Sequence, residues 1–124
     1  FIKEIQKTPK FETYANELST VLVNIFLNAK ESMIRNDIKN GEITLKEYYL
    51  DNIISFEISD NGGGINDDII DKIFEPYFST KEAQHGVGLG LYMCKTVIEM
   101  HFHGSINIKN RENGATVTIA LPIN

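Results

Sequence analysis

Residues 21–33 read VLVNIFLNAKESM. Taken from Leu18, apolar side chains recur at helical spacing through Val21, Leu22, Ile25, Ala29 and Met33. Val23, Phe26 and Leu27 fall off that stripe, which predicts a helix covered on more than one side. Asn16 is placed to cap it, with Glu17 in the first turn. The breaker-rich stretch from Asn36 to Gly41 ends it. So wide an apolar face has to be buried against other elements, and the rest of the chain supplies them.

Downstream, Glu42–Leu50 and Ile53–Asp60 read as two strands around an Asp51-Asn52 turn. In the second, Ile54, Phe56 and Ile58 share one face, and Ser55, Glu57 and Ser59 the other. Asn66 is placed to cap a short helix over residues 67–74, stopped by Pro76. Residues 79–88 are polar and glycine-punctuated, which predicts a mobile loop. Leu89 to Phe102 reads as a second long helix, closed by Gly104 in the C′ role. Ser105–Asn110 and Ala115–Leu121 form a terminal hairpin over residues 111–114. Upstream, Phe11 to Tyr14 alternates as a short strand would, and residues 1–10 read as a linker remnant or a partial first strand. The predicted class is α/β or α+β, with helices covering one sheet.

Composition bounds the function. The 124 residues suit one domain, which we place at residues 11–124. Hydrophobic residues at 42% exclude intrinsic disorder as the main description. Twelve Lys and Arg against 17 Asp and Glu give a net charge of −5, without the basic excess of a typical nucleic-acid binder. No run of about 18 apolar residues is present to span a membrane. The single Cys94 allows no intramolecular disulfide, so a reducing cytoplasm is the expected compartment. The chain starts at Phe1 without a signal segment and reads as a piece of a longer protein.

Five stretches could carry chemistry. Asn24 and Asn28 lie four apart on the first helix, with Glu17 and Glu31 on the same flank. Such an edge can contribute oxygen to a Mg²⁺ shell beside phosphates, or it can simply face water. Asp60-Asn61-Gly62-Gly63-Gly64-Ile65 follows a strand directly. Its carboxylate can accept from an exocyclic amine while the glycines let a flat ligand approach, or it is an acidic turn. His85-Gly86-Val87-Gly88-Leu89-Gly90-Leu91 runs alternate glycines into a helix start, where free N–H groups favour phosphate. It departs from the dinucleotide fingerprint, because its third glycine comes early and no strand precedes it. Phe74-Glu75-Pro76-Tyr77-Phe78-Ser79-Thr80-Lys81 offers aromatics to anchor a loop and then donors that could reach a phosphate. Asn113-Gly114-Ala115-Thr116 is explained by a hairpin turn alone.

In this order and at these separations, the five stretches resemble the catalytic and ATP-binding domain of sensor histidine kinases. That family shares a superfamily with DNA gyrase, the mismatch-repair ATPases and heat-shock chaperones. Asn24–Met33 resembles its asparagine box and Asp60–Ile65 its first glycine box. Phe74–Lys81 resembles its phenylalanine box, Gly86–Leu91 its second glycine box and Gly114–Thr116 its third. The resemblance covers about residues 11–122.

The resemblance implies a two-layer α/β sandwich of the Bergerat type, with a mixed sheet under about three helices. It implies that ATP and Mg²⁺ bind, with Asp60 on the adenine amine, Gly62 and Gly64 at the base pocket and Ile65 near the ring. Thr116 would support Asp60 through a water. Asn28 would be the Mg²⁺ ligand, with Asn24 as polar support near the phosphates. Phe78, Thr80, Lys81, Gly86, Val87, Gly88, Leu89, Gly90 and Leu91 would complete the nucleotide site, Lys81 and the glycine backbones holding phosphate oxygens. Residues 79–88 would form its lid. The implied reaction moves the γ-phosphoryl to a histidine on a separate dimerisation domain, and the implied downstream partner is a response regulator. The dimer contact belongs to that other domain, so this piece alone is expected to be monomeric.

Asn24 stands where the gyrase-like hydrolases carry a glutamate that activates water, which favours phosphoryl transfer over hydrolysis. Some positions depart from the pattern. The lid is short, Val87 stands where a threonine is common, and Glu31 stands where many members carry a cation. NAKESM resembles the branch related to nitrogen-regulation kinases. An anti-sigma-factor-type serine kinase and a degenerate binding module are the alternatives.

His85, His101 and His103 are each followed by a residue unlike the acid that follows the family's acceptor histidine. His85 reads as a solvated side chain or a phosphate contact, and His103 as a helix-end residue beside the Gly104 cap. Cys94 reads as a packed thiol, and Asp67, Asp68 and Asp71 as a solvated helix start.

Overall fold

A computed structural model of the protein describes residues 15–75 and 90–123. The expectations for residues 1–14, and for Tyr77 to Leu89 with Phe78, Thr80, Lys81, Gly86, Val87 and Gly88, lie outside the described residues.

Helix α1 spans Ala15–Arg35. It already contains Ala15, so Asn16 sits inside the first turn rather than capping it. Its carbonyl accepts from the Thr20 hydroxyl at 3.0 Å. The C-terminus closes in a Schellman motif. Asp37 takes φ 54°, its N–H donates to Ile34 and the Ile38 N–H donates to Met33.

Strands β1 (Ile43–Leu50) and β2 (Ile53–Asp60) follow as a hairpin. Asp51 and Asn52 take φ 55° and 63°, the two left-handed residues that a tight two-residue hairpin needs. The short helix expected over residues 67–74 is only a 3₁₀ turn, Ile70–Lys72. Asn66 does not cap it: the position before the turn is Ile69, with no side-chain cap, and the Asn66 side chain closes a separate turn upstream by accepting from Asp68 N–H at 2.8 Å. Helix α2 (Gly90–His101) leads into β3 (Ser105–Arg111) and β4 (Gly114–Pro122).

The four strands are ordered β1-β2-β4-β3, every pair antiparallel. The α+β class and the two layers agree with expectation. The described strands hold no parallel pair, so their sheet is antiparallel where a mixed one was expected. Two α-helices and one 3₁₀ turn are described where about three helices were expected.

One sheet face carries Ile54, Phe56 and Ile58 beside Val117, Ile119 and Leu121, all buried. They pack under Leu18, Val21, Leu22 and Ile25 of α1 and under Cys94 and Ile98 of α2. Each such aliphatic side chain stabilises the fold by about 1.5–3 kcal/mol. Strand β1 is exposed along its whole length and lies at the edge of the sheet among the described residues.

The end of α2 corrects one expectation. His103, at φ 55°, takes the left-handed position rather than Gly104. Gly104 serves a close approach instead, since a Cβ there would meet the Ala120 carbonyl. No described helix is long and apolar enough to cross a membrane.

Candidate functional site

Asp60 ends β2, and its inward alternation with Ile54, Phe56 and Ile58 sets it on the helix-covered face. Its Oδ1 accepts from the Gly62 N–H at 2.8 Å. Among the described residues, Oδ2 has no hydrogen-bond partner. The glycines shape the loop that follows. Gly63 and Gly64 take φ 100° and 81°, which side chains rarely adopt.

That loop is held from two sides. From α1, Ser32 Oγ and Asn36 Nδ2 both donate to the Gly62 carbonyl, at 3.0 and 2.6 Å. From the β3–β4 hairpin, the Asn113 carbonyl accepts from Gly63 N–H at 3.0 Å. Asn110 Oδ1 accepts from Ile65 N–H at 2.8 Å, while its Nδ2 donates to the Ile65 carbonyl and to Asp67 Oδ1. Asn61 turns the other way, accepting from Glu42 N–H and donating to the Asn40 carbonyl.

Asn24, Asn28 and Ser32 are spaced by four along α1, and Asn36, the residue just past its end, continues the row. At one end the half-buried Asn24 lies beside the Cys94 thiol of α2. Burial pushes that thiol up to about 11, and the Asn24 amide acts in the opposite direction. At the other end Ser32 and Asn36 hold the glycine loop. Between them Asn28 is exposed and makes no hydrogen bond among the described residues. Glu31 is exposed as well.

The helices run antiparallel: His101 Nδ1 meets Glu17 Oε1 at 2.6 Å, and Cys94 Sγ lies 3.8 Å from the Val21 carbonyl. Gly90, four residues before Cys94, is thereby carried toward the Asn24–Asn28 turn. The first described turn of α2 belongs to the same end of the molecule as Asn28, and a helix N-terminus carries a positive partial charge. A Cβ at Gly90 would meet nothing within 4 Å among the described residues. Leu91 follows, half-buried. Phe74, the described start of the aromatic stretch, packs against the core as an anchor, with Lys95 Nζ 6.0 Å from its ring.

Thr116 departs from its expected role. It pairs with Ser59 in register, and the two hydroxyls lie 2.9 Å apart. Both are on the sheet face opposite Asp60, because neighbouring strand residues alternate. The inward residue beside Asp60 is the buried Ala115. Gly114 adjoins them, and a Cβ there would meet the Asp60 carbonyl.

Ser32, Asn36 and Asn110 were not picked out from the sequence. For the first two a signal existed, since the four-residue spacing of Asn24 and Asn28 continues through Ser32 and Asn36. Asn110 offers no such local signal. Among the described residues, no three His, Cys, Asp or Glu side chains converge on a metal-sized site. A cation here would draw its ligands from an amide oxygen, a phosphate chain and water, the mixture that suits Mg²⁺. The exposed, unengaged Asn28 amide fits that requirement.

Comparison with known proteins gives the family and the fold. Residues 13–124 match the family described as histidine kinase-, DNA gyrase B-, and HSP90-like ATPase. The sensor histidine kinase ZraS of Salmonella typhi is 39% identical over 125 residues, covering 98% of this chain and 24% of its own length. The C4-dicarboxylate transport sensor protein DctS of Rhodobacter capsulatus is 35% identical over 107 residues, covering 86% of this chain and 16% of its own. The catalytic domain of histidine kinase ThkA, in a nucleotide-free form, superposes with a TM-score of 0.73 at 32% identity, covering 86% of this chain and 67% of that one. ThkA in complex with response regulator TrrA gives 0.68 at 28% identity, over 88% of this chain and 29% of that one. The chain thus spans about a quarter or less of these curated relatives' length.

Proposed function

The chain belongs to the histidine kinase-, DNA gyrase B- and HSP90-like ATPase family, as a sensor histidine kinase catalytic domain, and we propose that it binds Mg²⁺-ATP for transfer of the γ-phosphoryl to a histidine. The acceptor histidine would sit on a dimerisation domain outside this chain, and a response regulator would receive the phosphoryl group next. ThkA has been solved in complex with a response regulator, which supports a response regulator as a partner.

The observation that supports this reading best is the placing of three features at one end of the fold. These are Asp60 and Asn28, whose Oδ2 and side-chain amide have no hydrogen-bond partner among the described residues, and the first described turn of α2 at Gly90. In this reading Asp60 Oδ2 accepts from the adenine amine, and the glycine backbones let the base approach. Asn28 contributes an oxygen ligand to Mg²⁺. The start of α2 and Lys81 hold phosphate oxygens. Bound Mg²⁺ would neutralise charge between the phosphates.

Phosphoryl transfer depends on positioning and electrostatics more than on a protein base. An imidazole is its own nucleophile, so an amide at position 24 is compatible with transfer to histidine. Asn24 cannot act as a general base, and beside Cys94 its place is a contact between α1 and α2.

Thermal unfolding with Mg²⁺-ADP, Mg²⁺-ATP and Mg²⁺-GTP tests the binding step. Ligand at about 100 times its dissociation constant stabilises by about 2.7 kcal/mol, an upward shift of several degrees. The expected result is an adenine-selective shift that needs Mg²⁺. No shift with any nucleotide would overturn the reading.

A further inference from the structure

The row along α1 does more than present Asn28. Its last two members, Ser32 and Asn36, meet on one atom, the Gly62 carbonyl oxygen. We propose that Ser32 and Asn36 are positioning residues for recognition of the nucleotide base, acting through the Gly62 backbone on the carboxylate of Asp60. The proposal rests on the reading of Asp60 as the carboxylate that accepts from the adenine amine.

The peptide joining Gly62 to Gly63 is tied at both ends. Its carbonyl takes the two donors from α1, and its N–H donates to Asn113 in the β3–β4 turn. A peptide group is planar, so two anchors on opposite ends fix its orientation. The adjoining Gly62 N–H is the donor that holds Asp60 Oδ1. With Oδ1 held, the carboxylate plane is set and Oδ2 remains as the acceptor.

There is little slack in this chain of contacts. Gly62 is buried, and a Cβ there would lie 3.2 Å from both Asp60 Oδ1 and the Ser32 side chain. Gly63, at φ 100°, adopts that shape without strain but has many alternatives open to it, so contacts from outside select the one observed. Remove the donors from α1 and the Gly62 carbonyl turns to water. Its N–H then leaves Oδ1, and the carboxylate is free to rotate. The helix that carries Asn28 toward the phosphates would thereby also set the carboxylate that reads the base.

The test is calorimetric titration of Mg²⁺-ADP and Mg²⁺-IDP into the wild-type chain, Asn36→Ala and Ser32→Ala. Inosine carries a carbonyl where adenine carries its amine, so IDP reports binding without the amine-to-Asp60 contact. Loss of one such donor should weaken ADP binding about tenfold in Asn36→Ala, and less in Ser32→Ala, whose contact is longer. IDP binding should change little, so the preference for ADP narrows. Asn36 is exposed near the end of α1, and circular dichroism on each variant verifies that the fold survives. Unchanged ADP affinity in both variants overturns the proposal. So does a parallel loss for ADP and IDP, which is what a merely structural role would produce. A wild-type chain with no preference for ADP over IDP overturns the reading of Asp60 itself, and shows it without any substitution.

Discussion

Asn110 and Ile65 are joined by a reciprocal pair of hydrogen bonds. The Asn110 Oδ1 accepts from the Ile65 N–H at 2.8 Å, and the Nδ2 donates to the Ile65 carbonyl at 2.7 Å. The amide thereby treats a loop residue as a strand partner, tying the glycine loop to β3 across 45 positions of sequence. Asn110→Ala removes this pair and the bond to Asp67. We expect a loss of about 1–2 kcal/mol, because the groups are exposed and water replaces part of the bonding. Urea unfolding measures it; an unchanged midpoint would show that the clamp contributes nothing to stability.

Asp60→Ala should remove selective binding of adenine nucleotides while leaving the fold intact. The carboxylate is only half-buried, and its described hydrogen bond is to a neighbouring backbone N–H, so little else depends on it. Calorimetry with Mg²⁺-ADP decides the matter. Binding equal to wild type would mean that another group reads the base.

Asn28 is exposed and free of hydrogen bonds among the described residues, so its replacement should cost little stability, within about 0.5 kcal/mol. Nucleotide binding by Asn28→Ala should persist weakly and lose its dependence on Mg²⁺. Titrating ADP with and without the metal separates the two effects. A variant that still responds to Mg²⁺ as wild type does would take Asn28 out of the metal shell.

Gly104 lies where α2 gives way to β3, against the backbone of β4. A methyl group there would press on the Ala120 carbonyl and on Leu121. Backbone yields less readily than a flexible side chain, so Gly104→Ala should destabilise by about 1–3 kcal/mol. Thermal unfolding would reveal it, and a Tm equal to wild type would show that the two elements can separate at no cost.

Cys94 is buried, and its thiol is pushed up to about 11. It should resist alkylation at pH 8 in the folded chain and react promptly in urea. The sign of the linkage follows from the raised value. The contribution to stability is complete below the unfolded value near 9, and is lost as pH rises from there through about 11. Rapid labelling of native protein at pH 8 would contradict the burial. An unfolding midpoint that rises over that alkaline range in wild type, and not in Cys94→Ala, would contradict the sign.

Much of the fold was legible locally. The stripe from Leu18 to Ala29 specified α1 and its buried face, since a period of 3.6 needs no knowledge of what lies opposite. The alternation of Ile54, Phe56 and Ile58 specified the inner face of β2, and Asp51-Asn52 its turn. The order of the motifs was enough to identify the family. Local capping rules carried less far. At the end of α2, His103 takes the left-handed position because Gly104 is needed against β4.

What only the tertiary structure decided concerns pairs of residues far apart in the chain. Register sets Thr116 opposite Ser59, a pairing across 57 positions that no pattern within β4 can state, whereas its facing away from Asp60 was already legible in the alternation of Val117, Ile119 and Leu121. The hold of Ser32 and Asn36 on Gly62 and of Asn110 on Ile65 spans 26 to 45 positions. A sequence pattern records which face of an element is apolar, because burial acts on each element separately. Hydrogen bonds between loops have direction and need a specific partner at about 3 Å, so they exist only once the sheet and helices have brought both ends together.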